Sequence, residues 1–419
     1  MLIVQKFGGT SVGDTDRITN VAQKVAKEVH AGNQVMVVVS AMAGVTDRLV
    51  GYARTLSALD TPEAWADYDM VVASGEQITA GLLALKLRAM GIPARGWAGW
   101  QVPIISSEEH GKARINRIDK GAVSESLALG EVAVVAGFQG MTEKGRISTL
   151  GRGGSDTSAV ALAAAFGAGR CDIYTDVDGV YTTDPRIVRN AKKLEKVAYE
   201  EMLEMASQGA KVLQTRSVEM AMNHNVVVQV LSSFADSPIG SIGGTLLVRE
   251  EDIVEKERVT GIAYSRDEAR ITVSGVQDRP GVSAAIFVPL AKAGVNVDMI
   301  VQNVTPDGKD TDVTFTISRS DLDNAKKVIE HTASEGKIAY RALHTAADVA
   351  KVSVIGVGMR SHAGIAGEMF TTLAEKGINI LLITTSEIKI SVLIEEAYLE
   401  LAIRALHTAY GLDAVVEKG

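Results

Sequence analysis

The chain contains few of the residues that mark a disulfide-stabilised protein or a proline-rich linker. There is one cysteine, Cys171, among 419 residues, which excludes an internal disulfide framework and fits a reducing cytosol. Cys171 lies in an apolar, strand-like stretch, so we expect it to be a core residue, not a nucleophile. Only 8 prolines accompany 40 glycines, and with 46% hydrophobic and 22% charged residues the composition is that of an ordinary α/β protein.

Long apolar runs and a positive charge excess are also missing. No apolar run approaches the length of a membrane span, and the N-terminus lacks a charged region followed by a long apolar segment. We therefore expect a cytoplasmic protein without a membrane partner. The net charge of −8 argues against a broad nucleic-acid surface, although a local anion site is still compatible with it.

The length of 419 residues predicts two or three domains. Up to about residue 248, short β-rich runs alternate with helical stretches, which predicts a mostly parallel sheet with helices on both faces. The predicted strands are residues 2–5, 35–39, 132–136, 172–175 and 226–231. The predicted helices are residues 17–30, 76–90, 157–166 and 199–222.

After a charged linker, the chain repeats itself. Four residues recur with an offset of 83: Gly281, Phe287, Gly294 and Asn296 match Gly364, Phe370, Gly377 and Asn379. Each copy reads as strand, glycine turn, helix, two strands and helix, which predicts a small ferredoxin-like βαββαβ module present twice. The predicted domains are a catalytic domain (1–248), a linker (249–261) and two modules (262–345 and 346–419).

A lysine and a glycine pair follow the first predicted strand. Glycines let backbone N–H groups approach phosphate oxygens, and Lys6 supplies a mobile positive charge. The segment lacks P-loop spacing, so on its own it is equally compatible with an ordinary strand–turn–helix.

Four further segments have the composition of site loops: residues 40–47, 74–76, 149–158 and 175–186. The third places three glycines, Arg152 and Asp156 before an alanine-rich helix, whose N-terminus favours anions. The fourth contains an Asp-Gly dipeptide, which alone would indicate an ordinary turn.

Together these segments resemble the signature segments of the aspartate kinases, within the amino acid kinase family, and the C-terminal repeats resemble that group's tandem ACT domains. Segment order is preserved over nearly the full chain. One stretch, residues 236–245, is longer than the usual tight turn before the last strand of the catalytic domain.

The resemblance implies a role for each matching residue. Lys6 would hold the transferring phosphoryl group with Asp156 orienting it, and Arg152 would take a substrate carboxylate. The implied phosphate and ATP residues are Lys6, Phe7, Gly8, Gly9, Thr10, Thr175, Asp176, Tyr181, Asp184, Arg186 and Lys211, with Ser11 beside them. The implied aspartate-binding residues are Ser40, Thr46, Glu76, Arg152, Gly153, Gly154 and Ser155, with Glu76 facing the α-ammonium group.

The chemistry of such a reaction fits these residue types. A side-chain carboxylate is already ionised at neutral pH, so transfer to it needs no general base. It needs positive charge, backbone donors and Mg²⁺ to bring two anions together, and the candidate loops contain no histidine. We find no dedicated metal cage and expect Mg²⁺ to be held mainly through the ATP phosphates.

The resemblance further implies that lysine, threonine or both bind the ACT-like modules and inhibit by a population shift. The implied effector residues are Asp278, Arg279, Pro280, Gly281, Val282, Ser283, Asn296, Val297, Asp298, Gln302, Ile365, Ala366, Asn379, Ile380, Ser386 and Glu387. These residues are alternatively ordinary parts of the module core. We also expect a homodimer or larger homo-oligomer assembled through the modules.

Two other functions remain open from the residues. The chain could be another amino acid kinase, acting on glutamate, N-acetylglutamate or UMP, or a non-catalytic amino acid sensor. A dinucleotide fingerprint at residues 356–361 is disfavoured because its third glycine is missing.

Overall fold

The computed structural model describes residues 1–209, 212–235, 243–253, 257–305 and 308–413. The chain forms two compact units. The N-terminal unit consists of Met1–Tyr181 and Lys193–Lys256, and the C-terminal unit of Thr182–Lys192 and Glu257–Gly419.

The N-terminal unit alternates strands and helices. Its strands are β1 (Leu2–Phe7), β2 (Gln34–Val39), β3 (Ala94–Trp97), β4 (Ile104–Ser106), β5 (Ile115–Ile118), β6 (Val132–Ala136), β7 (Gln139–Thr142), β8 (Ile147–Thr149), β9 (Arg170–Thr175), β10 (Lys196–Ala198), β11 (Val228–Ser232) and β12 (Thr245–Val248). Its helices are α1 (Thr15–His30), α2 (Val45–Leu56), α3 (Pro62–Val72), α4 (Ser74–Ala89), α5 (Gly121–Ala128), α6 (Gly154–Phe166), α7 (Tyr199–Ser207) and α8 (Thr215–His224).

An eight-stranded sheet in the order β10-β12-β11-β9-β1-β2-β6-β3 forms the centre of this unit. Neighbouring strands are parallel except for β11 and β12. The inner strands β2 and β6 are apolar and buried on both faces, as expected for a parallel sheet covered by helices. One core joins β2 and β6 to α1 and α4, while α6 packs on β1, β2 and β9. The predicted α/β fold class is confirmed.

Two features of this unit differ from the sequence predictions. A second sheet, in the order β5-β4-β7-β8, was not predicted, because its strands are only three or four residues long. The single helix predicted over 199–222 is wrong: α7 ends at Ser207, and Gly209 then has a φ of 113°, outside the helical region.

The stretch Pro62–Ala89, which contains α3 and α4, is long and apolar enough by length and composition to cross a membrane, and within the described ranges no other helix meets that test. Of its most apolar 18 residues, 50% are buried inside the fold. Leu83 and Leu87 of α4 belong to the core under the main sheet. The stretch therefore has the burial of core helices.

The C-terminal unit is an antiparallel sheet covered by helices. Its strands are β13 (Gly261–Gln277), β14 (Val297–Val304), β15 (Asp310–Ile317), β16 (Ala342–Ile355), β17 (Leu382–Thr385) and β18 (Lys389–Glu395), in the spatial order β14-β15-β13-β16-β18-β17. Its helices are α9 (Val282–Lys292), α10 (Leu322–Ser334), α11 (Ile365–Glu375) and α12 (Leu399–Ala409).

The 83-residue repeat corresponds to equivalent structure. Helices α9 and α11 begin and end at positions that differ by that offset, and the glycines before them, Gly281 and Gly364, have φ values of 95° and 97°. A left-handed residue at this point strongly favours glycine. Two ferredoxin-like modules are therefore present, as predicted.

The two modules share their longest strands. The second half of β13 pairs with β15 and with the first half of β16, and completes the first module. The first half of β13 pairs with residues 351–355 of β16 and supplies the fourth strand of the second module. The predicted boundary at 345/346 thus falls inside β16, because a local pattern does not reveal that one strand serves two modules.

Candidate active site

A cavity of about 330 Å³ opens at the carboxyl ends of β1 and β2, in front of α6, in the N-terminal unit. Ligands bind at this edge in open α/β sheets. The cavity is lined by Lys6, Gly9, Ser40, Ala41, Met42, Ala43, Gly44, Thr46, Asp47, Glu76, Phe138, Gly151, Arg152, Gly153, Gly154, Ser155 and Asp156. The fold thus brings together four of the predicted segments.

Lys6, at the end of β1, forms an ion pair with Asp156 in the first turn of α6. Lys6 Nζ lies 2.5 Å from Asp156 Oδ1, and each side chain is 11% exposed. Removing both charges from water strengthens their attraction. The pair therefore fixes a positive charge at the rim of the cavity, beside a helix N-terminus that itself favours anions.

Glycines let the loops around the cavity approach one another. A Cβ on Gly9 would lie 2.9 Å from Ala41 O, and one on Gly75 would lie 2.7 Å from Ala41 Cβ. Gly153 has a φ of 69°, and its Cβ would lie 2.1 Å from Gln214 Cγ. A side chain at any of these positions would push the cavity walls apart.

Glu76, in the first turn of α4, presents a buried carboxylate with one unused oxygen. Its Oε1 accepts a hydrogen bond of 3.0 Å from the Ala41 N–H. Its Oε2 is buried and accepts no hydrogen bond from any described residue. Burial raises the pKa of Glu76 to about 7, although the backbone hydrogen bond from Ala41 opposes the shift. A cation entering the cavity would find one carboxylate oxygen, Oε2, that has no partner among the described residues.

Arg152 lies in the turn before α6 and is exposed. Its guanidinium group forms no ion pair with any residue in the described ranges. Free planar donors of this kind suit a carboxylate, which they bind through two parallel hydrogen bonds. The cavity thus combines an unpaired cation, an unpaired carboxylate and an anchored lysine.

Three predicted phosphate residues, Phe7, Gly8 and Thr10, do not line this cavity. The Phe7 side chain is completely buried and stacks on Tyr174 with ring centroids 4.5 Å apart, so only its backbone could face a ligand. Thr10 is exposed and its carbonyl accepts a hydrogen bond from Arg17, while Gly8 N donates to Tyr174 O.

Cys171 is buried, which confirms the predicted core position, and burial raises the pKa of its thiol well above the usual value.

The predicted nucleotide residues are divided between the two units. Thr175 ends β9 in the N-terminal unit, and Asp176 and Tyr181 follow it. The Tyr181 hydroxyl donates to Asp178 Oδ1 at 2.9 Å. They do not line the 330 Å³ cavity.

Asp184 and Arg186 belong to the C-terminal unit and form an ion pair of 2.7 Å. Asp184 also accepts a hydrogen bond of 3.0 Å from the Tyr264 hydroxyl, and the contacts with Arg186 hold the pKa of its carboxyl below the usual range. Lys211 lies outside the described residues, as do residues 236–242 of the long turn.

A second cavity, of about 500 Å³, lies in the first module. It is lined by Asp278, Arg279, Pro280, Gly281, Val282, Ser283, Ala284 and Gln302, all but Ala284 predicted effector residues. Ser283 Oγ donates to Gln302 Oε1 at 3.2 Å. This set comes together around the N-terminus of α9.

The other predicted effector residue with a charge in this module has a different environment. Asp298 pairs with Lys351, whose buried ammonium group also lies 3.0 Å from Glu268 Oε1. Asn296 and Val297 precede it and do not line the cavity.

In the second module, Glu387 pairs with Arg360 at 3.2 Å, and the Ile365 carbonyl accepts from the Tyr410 hydroxyl at 2.8 Å. Ala366 lies in the first turn of α11, and Ser386 lies between β17 and β18. Asn379 and Ile380 connect α11 to β17.

Sequence reasoning missed two residues beside the active-site cavity. Phe138 lines it with a φ of 67°, an uncommon value for a residue with a side chain. Asp69 is completely buried on α3 and contacts the loop that leads to Arg152. Its spacing with Ala66 and Val72, both buried, places an acid on an apolar helix face, which is the one signal the sequence offers.

Comparison with known proteins agrees with this architecture. The model of the amino acid kinase family matches residues 1–232, and ACT domain models match residues 269–331 and 352–410. The fold and the cavity thus define a kinase of the amino acid kinase family that carries two ACT domains.

The chain is 53% identical over 419 residues to an aspartate kinase of Pseudomonas fluorescens (strain SBW25), with 100% of this chain and 99% of the relative covered. It is 53% identical over 420 residues to an aspartokinase of Pseudomonas aeruginosa, with the same coverage. The chain belongs to the aspartate kinases. It is therefore an ATP-dependent phosphotransferase of amino-acid biosynthesis.

Solved structures of E. coli aspartokinase III are similar over nearly the whole chain. The complex with aspartate and ADP (R-state) has a TM-score of 0.78 and 27% identity, covering 98% of this chain and 99% of that one. The complex with lysine and aspartate (T-state) has a TM-score of 0.76 and 27% identity, covering 97% and 99%.

Proposed function

We propose that this enzyme transfers the γ-phosphoryl group of ATP to the β-carboxylate of L-aspartate, giving 4-phospho-L-aspartate and ADP. The observation that carries the proposal is a pair of groups in one cavity that have no partner among the described residues: the buried Glu76 Oε2 and the guanidinium group of Arg152. Aspartate offers an ammonium group to the first and a carboxylate to the second. Ser40 and Thr46, which line the same cavity, supply hydroxyl groups.

The transfer needs no general base. A β-carboxylate oxygen attacks the γ-phosphorus, that O–P bond forms, and the bond to the β–γ bridging oxygen breaks with its electron pair leaving on ADP. Lys6, held by Asp156, neutralises charge on the moving phosphoryl group, and the N–H groups of Gly153, Gly154 and Ser155 at the start of α6 add positive potential.

Mg²⁺ bound to ATP would supply further charge neutralisation between the phosphates. The described residues hold no cluster of three or more metal-binding side chains. A dication that keeps several waters and is held by phosphate oxygens fits this donor set better than one caged by the protein.

ATP would extend from Lys6 toward the segment after β9. Within the N-terminal unit, we assign its binding to Gly8, Gly9, Thr175, Asp176, Tyr181 and Lys211. The reaction would be the cytoplasmic first step toward the aspartate-derived amino acids lysine, threonine and methionine.

Regulation is assigned to the modules. We propose that lysine, threonine or both bind at the 500 Å³ cavity beside α9 and at its counterpart before α11, and lower activity by favouring a less active state. A homodimer or larger assembly through the modules would carry this effect between subunits.

Coupled ATP turnover tests the proposal directly. L-aspartate, L-glutamate and UMP are compared as acceptors at equal concentration, and we expect turnover with L-aspartate alone. Turnover with glutamate or UMP would support another amino acid kinase, and no turnover with any acceptor would support a sensor. Inhibition curves with lysine, threonine and their mixture then test the regulatory assignment.

A further inference from the structure

A completely buried carboxylate near the active-site cavity has no role in the reaction described above. Asp69 of α3 is 0% exposed. It accepts hydrogen bonds from His110 Nδ1 at 2.7 Å, from Gly111 N at 3.0 and 3.1 Å, and from Thr149 Oγ1 at 2.5 Å. Burying a carboxylate is costly unless its lone pairs are satisfied, so these donors fix two loops to one point.

The two loops meet at the turn that carries Arg152. Thr149 ends β8, and its carbonyl accepts from Ala113 N at 2.9 Å. A Cβ on Gly151 would lie 3.2 Å from Gly111 O, so the turn rests against the residue that Asp69 holds.

The same turn is fastened at its next residue. Leu150 N donates to Phe138 O at 2.9 Å, and Leu150 O accepts from Arg216 Nη1 at 2.8 Å. The main chain is therefore held by hydrogen bonds at Thr149 and Leu150 and by close packing at Gly151, the residue before Arg152.

Arg152 itself has no such support. Its side chain is exposed and makes no ion pair within the described ranges, so the backbone of the turn alone decides where the guanidinium group can reach. We propose that Asp69 is a positioning residue for aspartate binding: through Thr149 and Gly111 it sets the backbone that presents Arg152 to the substrate carboxylate. This inference rests on the proposed role of Arg152.

The chemistry of the cluster calls for a carboxylate. Its three partners all donate, and the Gly111 N–H is shared between the two oxygens, so Oδ1 and Oδ2 each accept from two partners. An amide in place of the carboxylate would remove the negative charge and one of the two oxygens that the Gly111 N–H reaches, which weakens the attachment of these loops to α3. Misplacement of a binding group by about 1 Å is enough to reduce catalysis strongly.

The test uses Thr149→Val, which removes one hydroxyl donor at nearly constant volume, in the full-length enzyme. We expect the KM for aspartate to rise about tenfold, equivalent to about 1.4 kcal/mol, with the KM for ATP and kcat within about twofold. Thr149→Ser, which keeps the hydroxyl, restores most of the affinity, and Asp69→Asn exceeds the effect of Thr149→Val. Asp67→Asn is the matched control on α3, because its carboxylate is exposed and forms a surface ion pair with Arg146.

A double-mutant cycle separates positioning from general loosening of the fold. Thr149→Val is repeated in an Arg152→Ala background, where we expect less than a twofold further rise in the KM for aspartate. A full additional rise there, or equal rises for aspartate and ATP, would overturn the inference while leaving the role of Arg152 intact. No effect of Arg152→Ala on the KM for aspartate would instead remove the role of Arg152 on which the inference rests. Thermal unfolding of each variant reports whether the fold is retained.

Discussion

Aspartate affinity should fall as the pH drops through about 7, because the carboxyl group proposed to hold the α-ammonium group has a pKa of about 7. Glu76 is buried, and burial raises its pKa from 4.5. The ammonium group requires the ionised carboxylate, so protonation competes with binding.

The expected size follows from the ionised fraction. With a pKa of about 7, Glu76 is ionised in about nine molecules in ten at pH 8 and in about one in ten at pH 6. The dissociation constant for aspartate should therefore rise about tenfold when the pH is lowered from 8 to 6. Calorimetric titration at pH 6, 7 and 8 measures it, and a constant affinity across that range would refute the reasoning.

The raised pKa of Glu76 has the opposite consequence for the stability of the fold: ionisation, which favours aspartate binding, lowers the free energy of unfolding. Because the folded pKa is raised, the folded state binds more protons than the unfolded state between pH 4.5 and about 7, so the free energy of unfolding falls as the pH rises through this window. The loss is complete above about pH 7 and amounts to about 3 kcal/mol, because the pKa rises from 4.5 to about 7 on folding.

Glu76→Gln removes this loss, because the amide imitates the neutral carboxyl group and still accepts from Ala41 N. The variant should unfold about 6 °C higher than the wild type at pH 8, with most of the gain lost at pH 5, while it binds aspartate poorly. Differential scanning calorimetry at the two pH values measures the gain. Glu125→Gln, an exposed helical position, is the control, and equal shifts in both variants would contradict the assignment.

Three further substitutions test other parts of the account. Lys6→Met should lower turnover about 10³-fold with aspartate binding unchanged within about threefold, by single-turnover kinetics and calorimetry; equal loss of both would place Lys6 on the amino acid instead. Gly153→Ala should lower the melting temperature and activity more than Gly32→Ala, because both glycines have a positive φ (69° and 82°) but only the first would meet a side chain, Gln214. Lys351→Met should destabilise the C-terminal unit by about 3–5 kcal/mol in urea unfolding, since it leaves the buried carboxylate of Glu268 without its cation; a change below about 1 kcal/mol would contradict this.

Much of the main sheet could be predicted because its strands are continuous apolar runs. Residues 132–136 were predicted as a strand and form β6 with the same bounds. The short strands β4 and β8 have three residues each and no period to detect. The shared strands β13 and β16 could not be divided correctly, because their partners are set by pairing across two modules.

The candidate site was predictable where chemistry needs a recognisable residue type in a glycine-rich loop, as for Lys6 and Arg152. The side-chain direction of Phe7 was not predictable, since neighbouring strand residues alternate between the cavity and the core. Asp69 was missed because its partners are brought to it by the fold, 41 to 80 positions further along the chain.

Trapping the product is the most direct test of the central claim, phosphoryl transfer to the β-carboxylate. The enzyme is incubated with MgATP, L-aspartate and hydroxylamine, which converts an acyl phosphate to a hydroxamate, and the products are quantified by mass spectrometry. We expect aspartate β-hydroxamate in a one-to-one ratio with ADP, and neither product without aspartate. ADP formation without hydroxamate, or at the same rate in the absence of aspartate, would contradict the account.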